Sequence, residues 1–271
     1  MNAKDLFDAG KLSAALEQLN QDVRAHPVDS RLRTFLFELL CFAGDYQRAE
    51  GQLDVIAQQN TNIELGTQIY RNALAAERAR IAVATQDSLP TFLLEPPAFA
   101  ALHIAALHRL REGKPAEARV LLAQAEETQP QVSGTVDGQA FADLSDGDAL
   151  LSPFLEAVIR DRYVWVPFTQ LKRFTVSPPK RLRDLLWVPG TLETLNGPAG
   201  EVFFPVLYSG SFRHEDDQVK LGRMTDWEDA GEGLQRGMGQ RLFFVDDREK
   251  SILEIREVEF TDRGDESNQA S

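Results

Sequence analysis

The sequence is poor in cysteine, in positive charge and in long apolar runs. One cysteine, Cys41, cannot form a disulfide within the chain, and its apolar neighbours predict a buried side chain rather than a catalytic thiol. Lysine and arginine total 29 against 42 aspartates and glutamates, and the net charge of −13 disfavours nucleic-acid binding. No stretch approaches the ~18 apolar residues of a membrane span, and the first residues lack a signal-peptide pattern. We therefore expect a cytoplasmic protein that is not inserted in a membrane.

Motifs for metal or cofactor chemistry are also lacking. His103 and His108 are five residues apart and fall on different helix faces, whereas helical zinc ligands need a spacing of four. The acidic stretch 143–148 misses the spacing of a calcium loop. The glycine-rich stretch 231–241 runs into a strand, so it matches neither phosphate-binding nor dinucleotide-binding loops. The sequence predicts no cofactor, no metal ion and no enzymatic activity.

The N-terminal half contains a pattern of glycine, small alanine and leucine at a fixed spacing. The first two copies are 34 residues apart, which is the period of tetratricopeptide repeats. The three copies are Gly10, Ala15 and Leu19; Gly44, Ala49 and Leu53; and Gly113, Ala118 and Leu122. Glycine permits the turn between two helices, and alanine lets the paired helices approach closely. Residues 1–130 are therefore predicted to form tetratricopeptide-like helical hairpins, an α-solenoid.

The hairpin around Gly44 has the clearest start and stop signals. Asp29 or Ser30 can cap the first helix, Ser30–Ala43, and Gly44 can end it in a left-handed conformation. Asp45 can then cap the next helix. Two further helices are predicted, one over residues 66–84 and one leading to Gly113.

The C-terminal half changes from helical to strand-like patterning. Residues 131–160 are predicted to be a linker with a short helix at Leu150–Arg160, because Ser152 and Pro153 suit a helix start. Residues 161–260 are predicted to form a small β-rich domain, so the fold class is α+β. Thr261–Ser271 lacks apolar residues and is predicted to be a disordered tail.

Four strand-like segments support the β-rich domain. They are Tyr163–Phe168, Val202–Tyr208, Arg241–Val245 and Ser251–Phe260, the last two forming a hairpin. The apolar positions of Ser251–Phe260 change parity, which predicts a bulge near residues 256–257. Proline at 167 and 205 predicts edge strands or bulges.

Several long motifs resemble those of one protein family. They are RLRTFLFELLCFAGDYQRAEGQL, YVWVPF, RDLLWVPG, FFPVLYSGS, GRMTDW and RGMGQRLFF. In this order they are similar to the ImpE family, also called SciE or TagJ, an accessory component of type VI secretion systems. The resemblance extends from about Leu6 to Phe244.

The resemblance implies a cytoplasmic, non-enzymatic protein. It implies binding to the N-terminal helix of TssB, the small subunit of the contractile sheath, and a supporting role in sheath handling with the ClpV ATPase. It provides no catalytic residues. The residues typical of the family are Trp165, Pro167, Trp187, Asp226, Trp227, Gly239 and Arg241. Either they pack within the β-rich domain, which tryptophan and proline favour, or they form a second binding surface.

Three hypotheses follow. In the first, the chain is an adaptor whose helical groove receives an amphipathic helix. Helix position alone suggests the groove residues, which are Arg33, Phe37, Leu40, Tyr70 and Leu74. In the second, the chain is an enzyme with a site around Asp226, Arg223 and Arg241. In the third, the β-rich domain only caps the helical stack.

Overall fold

The computed structural model describes residues 1–59 and 64–261, and most of the predicted tail lies outside them. Seven helices precede the first strand in the described part of the chain. They are α1 Ala3–Asp8, α2 Leu12–Ala25, α3 Ser30–Phe42, α4 Tyr46–Gln59, α5 Glu64–Thr85, α6 Ala98–Arg111 and α7 Pro115–Thr128. None of the helices in these residues is long and apolar enough to cross a membrane.

The predicted hairpin around Gly44 is confirmed. The Asp29 carboxylate accepts hydrogen bonds from the backbone N–H groups of Arg31 and Leu32, which would otherwise lack partners at the start of α3. Gly44 has a φ of +72°, in the left-handed region that glycine favours. Asp45 accepts from the N–H of Arg48 in the first turn of α4.

The repeated alanines explain how closely the helices pack. Ala15, Ala49 and Ala118 are all fully buried, so the helix backbones on either side can approach each other. Within each pair, the helices on either side of a repeat glycine pack against each other. The helical architecture is thus established, whereas its classification as tetratricopeptide-like stays a prediction.

The C-terminal half is built from antiparallel sheets. Its strands are β1 Gly134–Val136, β2 Gln139–Phe141, β3 Leu144–Asp146, β4 Phe154–Ile159, β5 Arg162–Pro167, β6 Leu171–Val176, β7 Trp187–Thr194, β8 Ala199–Pro205, β9 Thr225–Asp229, β10 Gln235–Gly239, β11 Leu242–Val245, β12 Arg248–Ser251 and β13 Glu257–Phe260. The largest sheet has eight strands in the order β2-β1-β13-β6-β7-β8-β4-β5. Two smaller sheets have the orders β12-β11-β3 and β10-β9. A short helix, α8 (Asp217–Lys220), precedes β9.

The helix predicted over Leu150–Arg160 is wrong, because this segment contains strand β4. The side chains of Phe154 to Val158 are buried on both faces of the sheet, which gives a continuous apolar run without helical period. The preceding stretch is also more than a linker, since it contains β1, β2 and β3.

The predicted strand Ser251–Phe260 is in fact interrupted. β12 ends at Ser251 and forms the hairpin with β11, while β13 pairs with β1 and β6 in the large sheet. The change of parity therefore marks a move between sheets and not a bulge. Pro167 lies on β5, an edge strand, as predicted, and Pro205 ends β8.

The two halves of the chain share their cores. One apolar cluster joins residues of α1–α5 to Leu186, Trp187 and Leu221, and a second joins α5, α6 and α7 to Phe154 and Trp165. The β half thus packs along the helical array, and the junction between them contains the buried charges described next.

Candidate functional site at the junction of the two halves

Arg80 of α5 is the first buried charge at the junction. Its Nε and Nη2 atoms lie 2.9 and 2.8 Å from the two carboxylate oxygens of Glu156 on β4. Its Nη1 atom lies 3.2 Å from Glu77, which is one helical turn earlier. Nη2 also donates to the carbonyl of Leu207. A two-pronged guanidinium–carboxylate pair is strong and directional, so it fixes α5 against β4.

Arg241 is the second buried cation, and its side chain is fully buried. Its Nη1 atom lies 2.5 Å from Asp146 of β3, and its Nη2 atom contacts Glu156. Its Nε atom donates to the carbonyl of Pro205. The guanidinium also lies over the Tyr208 ring, 5.1 Å from its centre. Arg241 therefore links the small sheet to the large one.

Aromatic donors complete this arrangement. The Trp165 indole N–H donates to the Tyr163 hydroxyl, which in turn donates to Glu156. The Trp187 indole N–H lies 3.3 Å from Glu77. We call these residues the junction cluster: Glu77, Arg80, Asp146, Glu156, Tyr163, Trp165, Trp187, Tyr208 and Arg241. Three of the residues typical of the family, Trp165, Trp187 and Arg241, thus have structural partners.

Burial dominates the electrostatics of the junction cluster. It raises the pKa of Asp146 to about 6, although the charge of Arg241 acts in the opposite direction. It also raises the pKa of Tyr163 and lowers the pKa of Arg241. Buried charges are tolerated only when they are paired and hydrogen-bonded. The buried charges here all have ion-pair partners, although Arg241 Nη2 contacts Glu156 without hydrogen-bond geometry. The cluster can therefore hold the two halves together.

Little space is left beside the junction cluster for a substrate. Two cavities border it, each of about 20 Å³. Arg80 lines both of them. Glu77 and Trp187 also line the first, and Glu156 and Tyr163 also line the second. Such a volume holds about one water molecule.

The groove predicted on the helices is filled by the chain itself. Phe37, Leu40 and Leu74 are buried in the cluster that contains Leu186 and Trp187. The one-turn 3₁₀ helix Leu182–Leu185 packs against this cluster. These three side chains are therefore buried in a core that the two halves share, and a partner does not reach them in this structure.

The other two predicted groove residues remain partly accessible. Arg33 donates to the carbonyl of Pro27 and to Gln52, contacts that lie within its own hairpin. The Tyr70 ring lies 4.7 Å from the Phe37 ring, and the Arg183 guanidinium lies 5.1 Å from the centre of the Tyr70 ring. Their role in partner binding stays a prediction.

The backbone conformation at position 239 requires glycine, which explains why Gly239 is one of the residues typical of the family. Its φ is +83°, and a Cβ atom here would collide with the carbonyl oxygen of Met224. Its N–H donates to the Ser211 hydroxyl at 2.7 Å. A larger residue would therefore strain the backbone and displace β10.

Asp226 and Trp227 lie on the surface strand β9. The Asp226 carboxylate accepts from the Trp227 N–H at 2.8 Å and pairs with His214 Nε2 at 3.1 Å. The pKa of Asp226 is lowered, chiefly by the hydrogen bond from the Trp227 N–H and then by the one from His214. The Asp216 N–H donates to His214 Nδ1, so both ring nitrogens are engaged. The Trp227 ring stacks on Phe244, with 6.3 Å between ring centres.

The structure does not assemble the predicted enzyme site. Arg241 is sealed in the junction cluster, while Arg223 donates to the carbonyls of Phe7 and Asp8 at the end of α1. Asp226 pairs with His214 on the surface. The three side chains serve separate contacts. Among the described residues, no group of three or more histidine, cysteine or acidic side chains can hold a metal ion.

Sequence reasoning missed most of the junction cluster, although one signal was available. Glu156 stands in the middle of the apolar run FLEAVI, where a charge needs a buried partner. That partner, Arg80, is 76 residues away, and nothing local in the sequence connects them.

The fold is that of an α+β protein, with stacked helices joined to antiparallel sheets through buried ion pairs. A family model described as ImpE protein matches residues 138–259. The type VI secretion system accessory component TagJ of Pseudomonas aeruginosa is 36% identical over 260 residues, which cover 96% of this chain and 91% of TagJ. The chain therefore belongs to the ImpE family of type VI secretion accessory components.

A solved structure shares this fold. The crystal structure of protein VPA1032 from Vibrio parahaemolyticus superimposes with a TM-score of 0.89 at 24% identity. The match covers 96% of this chain and 98% of that one. The arrangement of both halves is thus found in another protein.

Proposed function

We propose that this chain is a non-enzymatic cytoplasmic adaptor of a type VI secretion system. In this proposal it binds the N-terminal helix of the sheath small subunit TssB and assists sheath handling with the ClpV ATPase. Membership of a family of secretion accessory components supports the proposal. The partners themselves follow from the sequence resemblance.

The ion pairs within the junction cluster are the main support for the proposal that the chain is not an enzyme. Arg80 and Arg241 are each held by carboxylates of the same chain, and the adjoining cavities admit about one water each. An active site needs charged groups that remain available to a substrate. These groups instead stabilise the junction, which suits a protein that presents surfaces to partners.

An open groove beside α5 is the better location for a partner helix, because the face of α3 and α5 is filled. Arg78, Ile81 and Ala82 of α5 follow helical spacing and line a shallow cleft with Tyr46 and Phe212. We call it the α5 groove. Its lining combines apolar side chains with Arg78, which pairs with Glu50, and such mixed linings match the way amphipathic helices dock in grooves.

Titration calorimetry with a synthetic TssB N-terminal helix tests this proposal. We expect saturable one-to-one binding to the full chain. Ile81→Glu places a charge in the α5 groove and should weaken binding by at least about tenfold, equivalent to roughly 1.4 kcal/mol. Ile69→Glu is the matched control, since Ile69 is an exposed residue of the same helix outside the groove.

The variants also show which of the two grooves the partner helix occupies. Arg33→Glu tests the groove predicted from the sequence. If Arg33→Glu weakens binding and Ile81→Glu does not, the helix binds near α3 instead. A wild-type chain that is folded and releases no heat with the peptide would contradict the adaptor proposal.

A further inference from the structure

A second cleft lies between α7 and β3, and neither the family comparison nor the proposed function uses it. Its volume is about 460 Å³, within the range of small-ligand sites. Arg119, Leu122 and Glu126 line one wall at the spacing of one helix face. Asp143 and Leu144, at the start of β3, also line the cleft. We call it the α7 cleft.

A buried histidine lines the α7 cleft with one nitrogen free. His103 is only 3% exposed, and its Nδ1 atom lies 2.8 Å from the carbonyl oxygen of Leu150. A carbonyl only accepts, so Nδ1 carries the proton and Nε2 has a free lone pair. Nε2 bonds no residue in the described part of the chain. The rings of Phe99 and Phe154 contact the imidazole edge-to-face and fix its orientation.

The imidazole acts as an acceptor at physiological pH. Burial lowers the pKa of His103 to about 4, and the Leu150 carbonyl and the charge of Asp148 oppose this only in part. A neutral ring with its proton on Nδ1 leaves Nε2 able only to accept. The His103 side chain therefore offers a ligand in the cleft an acceptor and no donor.

The charged groups of the α7 cleft also favour a ligand that donates hydrogen bonds. Glu126 and Asp143 are exposed, and their carboxylates form no ion pair among the described residues. Arg119 is the cation of the lining, and its guanidinium donates to the carbonyl of Glu232. Two carboxylates against one cation leave the cleft negative, while Leu122 and Leu144 supply apolar surface.

We propose that the α7 cleft binds a primary ammonium group on an aliphatic stem. Its N–H donors pair with His103 Nε2 and with the carboxylate of Glu126 or Asp143, and the stem packs on the leucines. The same chemistry occurs in a free aliphatic amine and in a lysine side chain of a partner protein. A primary ammonium supplies three donors, which suits several acceptors in one cleft.

Titration calorimetry on the full chain tests this with two probes. Putrescine represents a free amine, and the peptide acetyl-Gly-Lys-Gly-amide represents a partner lysine; the norleucine peptide is the uncharged control. We expect saturable binding of one ammonium probe and none of the norleucine peptide. Glu126→Gln should weaken binding by at least about tenfold, equivalent to roughly 1.4 kcal/mol.

Glu127→Gln is the matched control, because Glu127 is exposed next to Glu126 but does not line the cleft. His103→Phe removes the acceptor, and its thermal unfolding shows whether the fold is retained. Binding of putrescine alone identifies a free amine, and binding of the lysine peptide alone identifies a partner protein. Absence of binding by both probes, or equal weakening in Glu126→Gln and Glu127→Gln, would overturn the proposal.

Discussion

At the scale of single residues, Arg241 has the most consequential environment. It is fully buried, and its guanidinium contacts both Asp146 and Glu156. Arg241→Met would leave these carboxylates buried without that cation. We expect a loss of about 3–5 kcal/mol in the free energy of unfolding, the usual cost of breaking a buried pair. Urea denaturation measures it.

Arg248→Met is the control for this substitution, because Arg248 is an exposed residue of β12. It should leave the urea midpoint unchanged. A loss below about 1 kcal/mol in Arg241→Met, typical of surface pairs, would show that the junction cluster does not stabilise the fold.

Glu38 on α3 makes stability depend on pH. Burial raises its pKa from 4.5 to about 7, and a hydrogen bond from the Arg183 backbone and the charge of Arg183 oppose this only in part. The folded state thus binds the proton more tightly than the unfolded state. The resulting stabilisation is fully present below pH 4.5 and is lost as pH rises through 7.

Glu38→Gln removes this dependence. Between about pH 5 and pH 8, the wild-type free energy of unfolding should fall relative to the variant by roughly 2 kcal/mol. Urea denaturation of both proteins at each pH measures the difference. Parallel pH profiles would show that Glu38 titrates normally.

At the scale of elements, substitutions at two turn glycines can distinguish the cost of backbone strain from the cost of disturbed packing. Gly44 and Gly113 both have a left-handed φ, of +72° and +70°. A Cβ atom on Gly113 would meet open space, whereas one on Gly44 would collide with the Phe212 ring of the C-terminal half. Gly113→Ala should cost about 1–2 kcal/mol from the backbone alone.

Gly44→Ala should cost more than Gly113→Ala, because it also displaces Phe212. Thermal unfolding of the two variants side by side measures the difference. Equal costs would mean that the Gly44 turn is not packed against the C-terminal half.

The same elements show what the sequence can predict. Asp29, Gly44 and the buried alanines act through neighbours along the chain, so their roles were predictable. β4 was mistaken for a helix because a strand buried on both faces has no alternating pattern. The contents of the predicted groove were not predictable, since Leu186 and Trp187 reach α3 from a distant part of the chain.

At the scale of the whole molecule, the contacts between the two halves make them one structural unit. The filled face of α3 and α5 and the ion pair between Arg80 and Glu156 both cross the boundary between them. Neither half can unfold without exposing apolar surface and unpaired charges of the other. We therefore expect a single cooperative transition.

Urea unfolding followed by two probes tests this claim most directly. All three tryptophans lie in the C-terminal half, so their fluorescence follows the sheets. Far-ultraviolet circular dichroism chiefly follows the helices. We expect coincident midpoints for the two signals, and both should shift together in Arg241→Met. Two separate transitions, with the helices persisting after tryptophan fluorescence has changed, would contradict it.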